Sequence, residues 1–155
     1  TNRQAEWVAY NLTPESINGP QERTDNFRID PKVKSNPVGS GDYSGSGYDR
    51  GHLVSAEDFA FDYRKESLTF SYYNCFPQTQ KLNRGSWKVW ENTIRTESKK
   101  WPLKIYTGGI YSQNKIRGRI GIPDYCWKVV YNQKSGLILH ALIFNNDDAK
   151  NSLCH

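Results

Sequence analysis

The order of periodic segments is what most restricts the fold of this 155-residue chain. Ala5 to Leu12 (AEWVAYNL) is aromatic and β-branched enough for a strand, and Thr13, Pro14 and Glu15 then read as a capped turn of helix. The best helix lies mid-chain, from about Gly85 to Lys99, with Trp87, Val89, Trp90 and Ile94 forming an apolar face. Strand-like runs follow at Leu103 to Tyr111, Tyr125 to Tyr131 and Leu137 to Phe144, the last two joined by a turn at Asn132 to Gly136. Strands at both ends with a helix-bearing insertion between them predict an α+β fold around a central antiparallel sheet, rather than alternating βαβ units. The length predicts that residues 1–155 form a single domain.

The intervening stretches are less regular. Ile17 to Gly47 is rich in Gly, Pro, Ser, Asn and Asp and reads as an irregular surface arm, ending in the flexible loop GSGDYSGSG. That loop lacks the Gly-Lys-Ser/Thr ending and the following helix of a phosphate-binding P-loop. Ser55 to Asp58 predicts a short helix carrying Phe59 and ended by Asp62 and Tyr63, and Leu68 to Cys75 looks extended. Leu, Ile, Val and Phe total only 32 residues, but 5 Trp and 10 Tyr add buriable area, so the core should be aromatic-rich.

No run of 18 apolar residues occurs, which excludes a helical membrane span and a membrane partner of that kind. A net charge of +5 is more often a solubility feature than a nucleic-acid footprint. Cys75, Cys126 and Cys154 lack the paired short spacings of a structural zinc site. Cys75 lies in an apolar context that suits burial, so the expected disulfide is Cys126 to Cys154. The chain begins at Thr1 and contains no methionine, which reads as processing and favours a secreted or periplasmic protein, although a trimmed cytosolic chain would look the same.

Histidine is the side-chain type that ordinarily titrates near neutrality, and the chain has three, His52, His140 and His155, so a general base of ordinary type comes from a short list. His140, within LILHALIF, reads as a packed strand histidine with no assigned function. His52 follows Asp49, Arg50 and Gly51, which sets a carboxylate, a guanidinium and a sterically open position beside an imidazole. Downstream, NCFPQTQKLNRGSWKVWE carries the amides Asn74, Gln78 and Asn83 and the carboxylate Glu91. Taken singly, Asn83 is explained as a helix cap and Glu91 as a solvated charge. Eight positions apart on a helix, however, they differ by about 80° of rotation and could lean over one cleft.

Together, SGYDRGH at Ser46 to His52, NxxPQ at Asn74 to Gln78 and NxxxWxxxE at Asn83 to Glu91 resemble the DNA/RNA non-specific endonuclease family. WVAY at Trp7 to Tyr10, FRIDP at Phe27 to Pro31 and IPDYCWKVV at Ile122 to Val130 extend the resemblance over most of the chain. It implies a ββα-metal fold, with His52 as general base and Asn83 as the one direct protein ligand of a catalytic magnesium, for which manganese can substitute. It further implies that Glu91 anchors water around that ion and that Arg50 stabilises phosphoryl charge. Asn74 is similar to a further catalytic residue of the family, while Gln78 belongs to the same motif and Arg23 is similar to a substrate-binding arginine ahead of the FRIDP segment. The implied products are 5′-phosphates and 3′-hydroxyls.

The chemistry agrees with these roles on its own terms. Phosphodiester hydrolysis needs a nucleophilic water, a path for its proton and positive charge near phosphorus. Magnesium prefers oxygen and keeps several waters, so one amide ligand suffices, and the arginine fork matches two phosphate oxygens. Asp49 reads as an anchor for the turn or for Arg50, and Gly51 as allowing close approach to His52. Arg84, Lys88, Arg95, Lys99 and Lys100 could form a basic, substrate-binding wall, and a solvated helix face explains them equally well. Lys115, Arg117 and Arg119 form a second basic cluster, and Phe70, Tyr72, Tyr73 and Phe76 read as core rather than a base-stacking surface.

The expected partners are DNA and RNA, bound through phosphates with little sequence specificity. The rival reading is a nucleic-acid-binding module that keeps the fold without the activity. A role as a toxin or defence effector, with a protein inhibitor as partner, concerns use rather than chemistry. The sequence leaves open monomer or homodimer.

Overall fold

The computed structural model of the chain describes residues 2–147 and, by backbone alone, 153–154. In chain order its elements are β1 (Trp7–Leu12), α1 (Pro14–Ile17), α2 (Ser40–Tyr43), β2 (Asp49–His52), a 3-10 turn (Ala56–Phe59) and α3 (Tyr63–Leu68). A second 3-10 turn (Tyr72–Asn74) leads into β3 (Cys75–Gln78), α4 (Gln80–Arg84), α5 (Ser86–Ser98), β4 (Leu103–Ile116), β5 (Ile120–Asn132), β6 (Ile138–Asn145) and β7 (Leu153–Cys154). Five strands make one antiparallel sheet in the order β1-β4-β5-β6-β7. β2 and β3 form a separate antiparallel pair, followed directly by α4 and α5. The architecture is α+β, and no helix among the described residues is long and apolar enough to cross a membrane.

Period-two alternation explains which sheet face is buried. Leu103, Ile105 and Thr107 of β4 and Cys126, Lys128 and Val130 of β5 turn inward. α5 packs across that face with Trp87 and Ile94 buried and Trp90 half-buried. Trp87 meets Phe76 and Phe144 edge-on at 5.7 and 5.2 Å between ring centroids. Side chains of this size contribute about 1.5–3 kcal/mol each when fully buried. Val89, expected on the same face, is exposed because two residues from Trp87 rotate it by about 200°.

Several expectations are corrected. Asp62 does not end a helix but starts α3, its carboxylate accepting from the backbone of Arg64 and Lys65. Leu68 to Cys75 is not extended until Cys75, because local bonds from Thr69 Oγ1 to the Glu66 carbonyl and from Tyr73 N–H to Ser71 Oγ favour turns over a strand. β4 and β5 run on as a polar hairpin to a tight turn in which Arg117 and Gly118 have φ of 50° and 68°. Its exposed Ser112 to Lys115 segment carries no apolar stripe to reveal it.

The irregular arm is also less free than its composition suggests. Val38 and Tyr43 are buried against Tyr72, Ile116 and Ile120. Arg119 pairs with Asp42 at 2.7 Å, and Arg117 donates to the carbonyls of Gly41 and Ser44. The second basic cluster is therefore in large part a clamp on the arm. Cys75 and Cys126 are both buried free thiols, so Cys126 does not form the expected disulfide, and the Cys154 side chain lies outside the described residues.

Candidate active site

The short β2 ladder carries the DRGH motif, with Asp49, Arg50, Gly51 and His52 opposite Gln78, Pro77, Phe76 and Cys75. A methyl group at Gly51 would strike the Gln78 side chain, which lies wholly buried beneath it. The glycine thus makes room for Gln78 rather than for an approach to His52. Trp87 Nε1 of α5 donates to the His52 carbonyl at 3.3 Å, fixing the end of β2 against the helix.

His52 is 8% exposed, its ring 5.4 Å from Phe27 and 5.0 Å, edge-on, from Phe70. Burial, followed by the nearby Arg23 charge and then by Arg50, pushes its pKa down to about 3. The imidazole is therefore neutral at neutral pH, and its buried Nε2 has no hydrogen-bond partner among the described residues. The same two phenyl rings carry the flanking guanidiniums: Arg50 lies 3.9 Å over Phe27 and Arg23 lies 5.0 Å over Phe70. Arg50 also donates to Tyr72 Oη at 3.4 Å, and Arg23 pairs with Asp25.

Across the cleft, α4 and α5 present side-chain oxygens, those of Asn83 and Glu91. Asn83 Nδ2 donates to Asp49 Oδ2 at 2.9 Å, which leaves Oδ1 as the amide's remaining acceptor beside the cleft. Arg84 grips the same carboxylate with Nε and Nη2, each at 2.9 Å. Burial works against the Asp49 charge, but the hydrogen bonds from Arg84 and Asn83 outweigh it and hold the pKa below its ordinary value. Glu91 is half-buried, and burial, with Asp58 adding to it, pushes its pKa up to about 7 despite Lys128, Arg95 and the Ser55 hydroxyl.

Arg23, Arg50, His52, Asn83, Arg84 and Glu91 therefore line one cleft of about 400 Å³. Asn74 and Gln78 do not line it. Asn74 pins the chain after β2, accepting from Val54 N–H at 3.1 Å and donating to the Val54 and Thr69 carbonyls at 3.0 and 2.9 Å. Arg84 reaches the cleft with its fork already engaged by Asp49. Arg95, grouped by sequence with the basic wall, is committed to Asp58 and Glu57 at 2.9 Å each. His140 packs against Trp90 and meets Glu97 at 2.7 Å, a strand-to-helix contact away from the cleft lining.

Five contributors were not legible in sequence. Phe27 and Phe70 form the aromatic cradle, Ser55 and Glu57 line the cleft together with Lys88 and Arg95, and Lys128 is buried in the sheet face against Trp87. The inward parity that Lys128 shares with Cys126 and Val130 is the one signal that could have exposed it.

No group of three or more His, Cys, Asp or Glu side chains among the described residues is placed to hold a metal ion. The cleft offers instead an amide oxygen oriented by Asp49 and the carboxylate of Glu91. An all-oxygen set this sparse fits a hard cation that keeps much of its water, and does not fit zinc or another thiolate- or imidazole-bound metal.

Known proteins resemble this chain over most of its length. A nuclease of Nostoc sp. is 37% identical over 133 residues, covering 81% of this chain and 47% of the relative. Human mitochondrial endonuclease G is 28% identical over 150 residues, covering 86% and 50%. The chain thus spans about half the length of these relatives. A chain in the crystal structure of the EndoG/EndoGI complex superposes with a TM-score of 0.83 at 25% identity, over 94% of this chain and 68% of that one. The model of the DNA/RNA non-specific endonuclease family matches residues 1–154, and this chain belongs to that family.

Proposed function

We propose that the cleft hydrolyses phosphodiester bonds within DNA and RNA with little regard for sequence. The observation that carries this reading is a neutral imidazole in the cleft lining whose buried Nε2 has no partner among the described residues, flanked by the two phenyl rings on which Arg50 and Arg23 lie. His52 Nε2 takes a proton from the attacking water as that water bonds to phosphorus. Arg50 presents its fork to the phosphate oxygens, and Arg23 adds positive charge on the other side of the imidazole. The bond from phosphorus to the 3′ oxygen breaks and that oxygen takes up a proton from solvent water, giving a 5′-phosphate and a 3′-hydroxyl.

Asn83 Oδ1 is the group that would hold a divalent cation directly, with Glu91 anchoring water around it, magnesium favoured and manganese a substitute. When bound, such an ion supplies Lewis-acid polarisation of the phosphate. Asp49 orients Asn83 for that task. The guanidiniums lining this cleft match phosphate rather than base edges, which supports acceptance of both DNA and RNA. A protein inhibitor is a fitting partner, given the fold shared with a chain of the EndoG/EndoGI complex.

The test is digestion of plasmid DNA and of RNA with and without magnesium, with analysis of the ends produced. Magnesium-dependent loss of both substrates to 5′-phosphates supports the reading. Salt-sensitive binding without cleavage under any divalent metal would replace it with a binding module of the same fold.

A further inference from the structure

The five-stranded sheet ends on β1, which pairs with β4 along one side only. The Gly109 N–H donates to the Glu6 carbonyl at 3.1 Å, and the register sets Val8, Tyr10 and Leu12 opposite Thr107, Ile105 and Leu103. Antiparallel ladders alternate, so the backbone groups of those three residues point to β4, whereas those of Trp7, Ala9 and Asn11 point away from the sheet. The Ala5 N–H shares that outward parity and is taken by the Tyr73 carbonyl at 3.1 Å, which closes the edge at Ala5 and leaves it open beyond. Trp7, Ala9 and Asn11 are all exposed, and their outward backbone groups have no backbone partner among the described residues.

Free edges of native sheets are normally blunted by lysine, proline, a bulge or a covering element. β1 has none of these. Its sequence WVAYNL carries no charge and no proline, and it pairs with β4 without a register shift, unlike the two ladders of β5. Beside its first half runs a groove of about 380 Å³ between residues 5–8 and residues 68–74. Three large apolar side chains flank that groove, Trp7, Leu68 and Tyr73, which are 58%, 61% and 48% exposed. An unguarded edge with apolar flanks fits an added β-strand.

We propose that this strand is β1 of a second copy, paired antiparallel across a two-fold axis at Ala9 so that the two sheets join into one. The edge is complementary to itself. Trp7 of each copy faces Asn11 of the other and Ala9 faces Ala9, so each outward N–H meets an outward C=O and no group is left over. Alanine is the smallest side chain of the strand, and it sits on the axis where the copies come closest. The missing charge matters because each copy carries a net charge of +5, and like charges set opposite each other would drive the strands apart. Past Asn11 the added strand continues beyond Trp7 along the groove beside residues 5–8, which is the space that a continuing chain needs. No residue of β1 lines the cleft, so the inference does not rest on the proposed function.

Sedimentation equilibrium of the intact chain should show monomers and dimers in exchange, and a chain that stays monomeric up to about 500 μM overturns the proposal and leaves the edge to a strand of another protein. Ala9→Pro removes an outward N–H without touching the bonds to β4, and Ala9→Lys sets two ammoniums against each other on the axis. Each should weaken dimerisation by about tenfold or more. Dimers as tight as the parent's in both variants overturn the proposal, because another surface then makes the contact. Should Ala9→Pro fail to fold, Ala9→Lys decides alone, since it changes only an exposed side chain. Ala9→Cys should cross-link under mild oxidation, because hydrogen-bonded antiparallel partners lie about 5.5 Å apart at Cα, within the disulfide range of about 4.4–6.8 Å. Trp7→Cys and Asn11→Cys should cross-link when mixed and not singly. A dimer that forms no Ala9→Cys cross-link beyond that of the parent chain overturns the two-fold pairing.

Discussion

The Asp49 carboxylate and the Asn83 amide, 34 residues apart in sequence, meet at 2.9 Å, and this bond decides which end of the amide faces the cleft. Asp49 lies on β2 and Asn83 on α4, so the contact joins the strand that carries His52 to the helix that carries the proposed ligand. Asp49→Ala should free the amide to rotate and release Arg84 toward solvent. Outer-shell partners of metal ligands typically account for about 10–100-fold in metal affinity or activity. A loss of that size should appear in both a magnesium titration and turnover, and equal magnesium affinity in the two proteins would show that Asp49 does not orient Asn83.

His52 couples folding to pH in a definite direction. Its folded pKa of about 3 lies below the unfolded value of 6.5, so the unfolded chain binds more protons between those values. The stability associated with the neutral ring is complete above pH 6.5 and is lost as pH falls toward 3. By pH 5 the loss should be about 2 kcal/mol. Urea unfolding of intact protein and His52→Phe at pH 7.5 and pH 5 measures it, and the variant should lack this component of the pH dependence.

Glu91 acts in the opposite sense. Its folded pKa of about 7 lies above the model value of 4.5, so stability present at low pH declines as pH rises through that window. Glu91→Gln should therefore stabilise the metal-free protein at pH 8, by about 3 kcal/mol at most, and change it little at pH 4. Cleavage should fall in the same variant, a trade of stability for function. Melting temperatures at the two pH values check the first claim, and a variant less stable than the parent at pH 8 would contradict it.

Gly51 is fixed by packing. Gly51→Ala should cost about 1–3 kcal/mol because the added methyl meets the buried Gln78 side chain. Shortening Gln78 in the same protein should recover much of that loss. Chemical denaturation of the single and double variants separates this from a general intolerance of alanine, which would leave the two costs additive.

The residues that sequence made legible were those tied to motif chemistry. His52, Arg50, Asn83 and Glu91 share a motif pattern, and the structure brings all four to one cleft. Asn74 and Gln78 belong to the same pattern yet support the cleft from behind, since a motif does not distinguish a group that faces substrate from one that holds the strand. The strands β2 and β3 escaped notice because DRGH and CFPQ lack the β-branched alternation that marks a strand. The sheet strands and α5 were readable because each carries a stripe of the proper period. Lys128 was hidden by residue type, since lysine is almost never fully buried unless paired, and its contacts to Trp87 and Thr107 come from distant positions in the chain.

The most direct measurement of the central claim is single-turnover cleavage of plasmid DNA by intact protein and by His52→Ala at pH 7.5 with magnesium. General-base catalysis contributes about 10²–10⁴-fold, so the variant should lose at least the lower end of that range while binding DNA as tightly as the parent. A variant that cleaves within a few-fold of the parent rate would show that the buried imidazole is not the base.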